Sequence, residues 1–156
     1  MKTPIEEQYV LKRLSLIDMG RTLRSLEYLE GMADEHLREA LFRDAVVSYA
    51  KPFSDNKGIH TKKGLRINEK GIPPELKLAH AEVVNVRNTL FAHMDIDIQK
   101  PELEHYEIDG EKHHPFTVAG YGKVYVDHLV KPLEQLAKAV RAHLLLEISS
   151  IEKDHF

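Results

Sequence analysis

Seven apolar residues near the C-terminus, Leu129, Leu133, Leu136, Val140, Leu144, Ile148 and Ile151, recur at steps of three and four. A row with that spacing lies along one face of an α-helix, and a one-faced helix must bury that face against other elements. The row predicts a helix over about 126–153. Pro132 falls inside it, so either the first turn ends there or the helix kinks. Three earlier segments have the same character. Residues from about 4 to 31 carry Leu16, Met19, Leu23 and Leu26 behind Pro4, a residue suited to a first helical position, and Gly31 ends the segment. Gly20 and Arg21 either bend that helix or sit on an exposed face. Asp34 can cap a second helix to about Ala50, with Leu37, Ala40, Leu41, Ala45, Ser48 and Tyr49 inward and Pro52 as its stop. Asp44 beside that stripe is either a buried hydrogen-bond partner or a boundary residue facing water. The third helix opens at Pro73-Pro74-Glu75 and carries Leu76, Ala79, Val83, Val86 and Leu90, a row that continues to His93 with Arg87 one residue off it.

Two connections interrupt the helices. Residues 51–72 are long for a loop in a compact domain, and their charge is lopsided: Lys51, Lys57, Lys62, Lys63, Arg66 and Lys70 face only Asp55 and Glu69. Such a loop is either a contact for a phosphate backbone or a solvated surface, and Lys57, Lys62, Lys63 and Arg66 are its candidate RNA-binding residues. After His93, Asp95, Asp97, Pro101 and Asp109-Gly110 break the helical period. A small hairpin is expected there, with Tyr106–Ile108 and Pro115–Val118 as arms around Asp109 to Lys112. The fold class expected is all-α: one domain over residues 1–156, a four-helix bundle with a basic loop after helix 2 and a hairpin before helix 4.

Composition removes several function classes. There is no cysteine, hence no disulfide, thiolate nucleophile or cysteine zinc site. No apolar run approaches the roughly 18 residues of a membrane span and the N-terminus lacks an apolar signal core, so a cytoplasmic protein without membrane contact is expected. A net charge of −3 argues against coating nucleic acid with the whole surface, while leaving room for a local basic patch. No glycine-rich phosphate loop and no Gly-x-Ser-x-Gly turn occurs. His105, Glu107, Asp109, Glu111, His113 and His114 lack a recognised ligand spacing, so they read as surface, and neither metal nor cofactor is expected.

The chemistry gathers at Arg87-Asn88-Thr89-Leu90-Phe91-Ala92-His93. Arginine presents a permanently charged fork that holds phosphate through two hydrogen bonds and stabilises charge building on phosphorus. Histidine exchanges protons near neutral pH, and asparagine adds directional hydrogen bonding. These groups suit metal-free RNA cleavage by attack of the 2′-hydroxyl on its own phosphate. A second copy across a two-fold axis would bring another Arg87 and His93 to the same cleft. The plainer alternative has Arg87 paired with an acid such as Glu82 and His93 as a satisfied helix-end histidine.

This segment, late in a long helix of an all-helical chain, resembles the signature of the HEPN superfamily (higher eukaryotes and prokaryotes nucleotide-binding): an arginine, a polar residue, intervening residues, then histidine. The resemblance covers the helical layout from about residue 4 to 153, and Arg87 to His93 is its specific part. It implies a homodimer whose paired motifs act as a metal-independent endoribonuclease, commonly in toxin-antitoxin, abortive-infection or other anti-phage systems, with an antitoxin protein as a further partner. Arg87 and His93 would then be catalytic and Asn88 the supporting polar residue. Some toxin members carry a tyrosine two residues after the histidine for nucleotide attachment. Asp95 stands there, which puts that route of control in doubt. Other members are non-catalytic modules that bind nucleotide, RNA or protein, and that is the alternative reading.

Overall fold

A computed structural model describes residues 3–91, 102–117 and 121–155, and four helices make up most of them. Helix α1 spans Pro4–Glu30; the Thr3 hydroxyl accepts the Glu6 N–H at 3.3 Å and so satisfies one of the free donors of its first turn. It runs unbroken through Gly20, which faces open space. Helix α2 spans Glu35–Ala50 with Asp34 as its cap, accepting from the Leu37 N–H at 2.9 Å. Helix α3 spans Lys77–Val86 after a short 3-10 turn at Pro74–Leu76. Helix α4 spans Tyr121–His155, beginning about five residues before the expected start near 126. It continues through Pro132, which removes one bond of the ladder; Leu129 and Leu133, 1% and 0% exposed, hold the neighbouring turns in the core.

One core joins all four helices. Met19 of α1, Phe42, Val46 and Tyr49 of α2, Val83 of α3, and Leu133 and Leu136 of α4 are fully buried together. Each side chain of this size contributes about 1.5–3 kcal/mol through burial. Polar contacts give the directions. Arg21 bridges to Asp44 at 2.5 Å, and Asp44 also accepts from the Ser25 hydroxyl at 2.6 Å, so Asp44 is a boundary residue with both partners on α1. Lys12 meets Glu147 at 2.7 Å and the Tyr9 hydroxyl donates to Glu152 at 2.7 Å, which sets α4 antiparallel to α1. No helix among the described residues is long and apolar enough to cross a membrane.

The hairpin departs from its expected register. Strand β2 (Tyr106–Ile108) pairs with β3 (Glu111–His113), and β1 (Glu102–Leu103) pairs with β4 (Phe116–Thr117). The turn is Asp109-Gly110 alone, with φ of 52° and 83°. Two left-handed residues make the tight turn whose twist matches the strands, so Glu111 lies opposite Ile108 and the second arm begins earlier than expected. Of the expected arm Pro115–Val118, Phe116 and Thr117 belong to the outer ladder, and Val118 lies outside the described residues.

The long loop is clamped. Asn56 and Leu65 bridge its neck, Leu65 and Ile67 are buried, and its tip closes on Glu7 of α1. The Glu7 carboxylate, 2% exposed, accepts the backbone N–H groups of Ile59, His60 (2.8 Å) and Thr61 (2.9 Å). Gly58 is required for this approach, because a Cβ there would lie 2.3 Å from Glu7 Oε1. Burial pushes the carboxyl up, but the three N–H donors together with the Thr61 side chain outweigh it and hold the group at about 2, below its ordinary 4.5. A depressed carboxylate stabilises the fold fully above the unfolded value, and that contribution is lost as pH falls from about 4.5 towards 2. The amide resonances of Ile59, His60 and Thr61 are therefore expected to titrate with a midpoint near 2 in NMR, and Glu7→Gln is expected to abolish that transition. A midpoint near 4.5 in the wild type would mean that the clamp does not hold in solution.

Candidate functional site

Helix α3 turns His80, Val83 and Val86 into the core, then changes pitch: Arg87–Phe91 form a π-helical turn. Turns of this kind insert an extra residue and re-aim the side chains around it, and they recur at functional sites. One local interaction favours it here: the Thr89 hydroxyl donates to the Asn85 carbonyl at 2.8 Å and competes for it with the backbone ladder. Phe91 is drawn against Phe42 edge-on at 6.4 Å, with the Arg43 guanidinium 5.4 Å from its ring centre.

The turn thus anchors Phe91 inward while Arg87 stays half-exposed and Asn88 exposed. Arg87 Nη1 donates to Asn88 Oδ1 at 3.0 Å, so the two predicted residues do meet. Among the described residues no acid forms an ion pair with Arg87. Glu82, the expected internal partner, instead meets His128 of α4 at 2.7 Å. The Arg87 fork keeps donors for an anion beyond the one that Asn88 takes. His93, the third predicted member, lies outside the described residues, as does Asp95.

The basic loop is elsewhere. Lys57, Lys62, Lys63 and Arg66 are exposed, and Lys62 Nζ donates to the Ile59 carbonyl at 3.1 Å. Their loop is held at Glu7, near the start of α1, whereas Phe91 packs on Phe42, beside the Asp44–Ser25 contact near the end of α1. The separation along α1 is on the order of 25 Å at 1.5 Å per residue. The structure therefore brings Arg87 and Asn88 together and leaves the loop lysines at the opposite end of the same chain.

Two polar clusters were not legible in the sequence. Besides the Glu7 clamp, the Tyr49 hydroxyl lies 2.8 Å from His80 Nδ1, and His80 Nε2 lies 3.7 Å from Glu69 Oε1. His80 precedes Arg87 by two helical turns and is 6% exposed. Burial, with the Glu69 charge adding to it, pushes the Tyr49 phenol well above its usual range; burial pushes His80 down against the opposing pull of Glu69. A neutral phenol donating to a neutral imidazole satisfies both groups inside the core, which makes the cluster a buried polar tie between α2 and α3. Among the described residues no group of three or more His, Asp or Glu converges as a metal site requires, and His105 and His114 face each other across the hairpin at 2.8 Å between their Nδ1 atoms. Comparison with protein-family models, curated proteins and solved structures found no match.

Proposed function

We propose that the chain is a HEPN-type, metal-independent endoribonuclease acting as a homodimer, with Arg87, Asn88 and His93 at its reactive cleft. The observation that carries this reading is an arginine oriented by its neighbouring amide and paired with no acid among the described residues, on a π turn six residues before a histidine. In the reaction, the 2′-hydroxyl loses its proton and attacks the adjacent phosphorus, and the bond to the 5′-oxygen breaks as that oxygen takes up a proton. His93 moves protons at these oxygens, Arg87 binds the non-bridging phosphate oxygens as charge builds on them, and Asn88 holds the guanidinium in place. Two copies supply two such sets to one cleft. Lys57, Lys62, Lys63 and Arg66 are not needed at the breaking bond. A role as a toxin or anti-phage component with a neutralising protein partner belongs to the same proposal.

The direct test incubates purified protein with end-labelled RNAs in excess chelator and analyses the product ends, with oligomeric state measured on the same samples. Cleavage that leaves 2′,3′-cyclic phosphate ends is the expected result. A folded dimer that binds several RNAs and cuts none of them would replace this reading with that of a non-catalytic RNA- or nucleotide-binding module.

A further inference from the structure

Two histidines nine positions apart in the chain meet on the hairpin. Glu102 faces Thr117, Leu103 faces Phe116 and Tyr106 faces His113, so one unbroken register runs along the arm and sets His105 opposite His114. The Glu104 N–H donates to the Pro115 carbonyl at 3.0 Å, which makes those two a hydrogen-bonded pair. The adjacent pair, His105 and His114, is therefore of the other kind, in which Cα atoms stand about 4.5 Å apart and side chains lie closest. Their Nδ1 atoms are 2.8 Å from each other, and both residues are exposed. Sequence spacing concealed this pair, because only the two-residue turn at Asp109-Gly110 sets its members opposite.

Between neutral imidazoles such a contact holds one proton: one Nδ1 carries it and the other accepts. When both rings carry their proton on Nε2 instead, two lone pairs face one gap with no change in net charge. That gap suits a metal ion. At bonds of about 2.0–2.1 Å, a square-planar centre needs neighbouring nitrogens about 2.8–3.0 Å apart and a tetrahedral one about 3.3–3.4 Å, so two exposed rings reach either geometry by a small rotation. The surrounding charge favours a cation. Glu102, Glu104, Glu107, Asp109 and Glu111 stand against Lys112 on the arm, and strand alternation puts Glu107 on the same face as His105.

We propose that His105 and His114 chelate one late first-row divalent cation of the Zn²⁺, Ni²⁺ or Cu²⁺ class through both Nδ1 atoms, with water in the remaining positions. Imidazole suits these ions above the harder Mg²⁺ and Ca²⁺. Among the described residues no third His, Asp or Glu completes the set, so the site is an open chelate rather than a closed cage. Its effect falls on the arm itself. Two-stranded hairpins are marginal in water, and every described side chain of this one is exposed except the half-buried His113. An ion bonded to both strands binds only the paired arm and thereby stabilises it. The site is independent of the cleavage chemistry proposed above, which uses no metal.

The test titrates Zn²⁺ by calorimetry into the full chain without an affinity tag, alongside His105→Gln, His114→Gln and, as a control, His36→Gln on α2. All three side chains are exposed, and circular dichroism checks that the helices persist. Each hairpin variant is expected to bind at least about tenfold more weakly than the wild type, and His36→Gln as tightly. In NMR, Zn²⁺ is expected to slow hydrogen exchange of the Glu104 amide, and substoichiometric Cu²⁺ to broaden first the amides of residues 104–107 and 112–114. A wild type that binds no Zn²⁺, hairpin variants that bind as tightly as it does, exchange unchanged by Zn²⁺, or broadening centred on other histidines overturns the proposal.

Discussion

Replacing Arg87 with alanine is expected to slow RNA cleavage by about 100- to 1000-fold, the usual cost of deleting one group that stabilises developing negative charge. The structure makes this an unusually clean substitution. The guanidinium is half-exposed, donates to Asn88 and forms no ion pair among the described residues, so its removal strands no buried carboxylate. Thermal unfolding is therefore expected to change little, and single-turnover cleavage to change greatly. Arg87→Lys is expected to recover little, because an ammonium keeps the charge but loses the planar fork. His93→Ala is expected to fall at least as far and to lose the wild type's pH dependence, which Arg87→Ala retains. Asn88→Ala, which leaves the guanidinium in place but unguided, is expected to show the smallest loss of the three. An Arg87→Ala protein that cuts at the wild-type rate would remove the central role assigned to the residue.

The helices were legible because their signals are local. The spacing of Leu129, Leu133, Leu136, Val140, Leu144 and Ile148 lies within one element, and all six side chains are buried. The caps at Thr3 and Asp34 and the proline starts act within a few residues of themselves. Where an outcome depended on distant residues, the sequence was silent. Nothing near Glu7 announces that its carboxylate would accept N–H groups more than fifty residues away, since the signal is divided between a first-turn acid and Gly58. The loop's charge was visible, whereas its distance from Arg87 follows from how α1 and α2 pack. The hairpin existed in the pattern, but its register was set by two positive φ values at Asp109-Gly110, and a one-residue choice at that turn moves the whole second arm.

The candidate site divides along the same line. Arg87 and Asn88 were legible as chemistry, and their contact follows from adjacency. That Glu82 would be occupied by His128 was not, because the two lie on different helices. The π turn was also hidden: the apolar row suggests an even helix to His93, and the widening at Arg87–Phe91 answers to Phe42, Arg43 and the carbonyl taken by Thr89.

The geometry of that turn depends on Phe42, which leads to an effect of the opposite kind from Arg87→Ala. Phe42 is 0% exposed and supplies the edge contact that holds Phe91. Phe42→Ala is expected to cost about 3–5 kcal/mol in denaturant unfolding, combining lost transfer energy with a cavity that the helices cannot close. For a chain with a total stability of roughly 5–15 kcal/mol, much of the population can remain folded, so activity can still be measured. In that folded fraction Phe91 has lost its aromatic partner, and the turn that sets the direction of Arg87 is held less firmly. Cleavage per folded molecule is then expected to fall as well, while Phe42→Leu, which leaves a smaller void, costs less on both scales. Loss of stability with unchanged cleavage per folded molecule would show that Phe42 supports the core alone and that the π turn holds its shape without it.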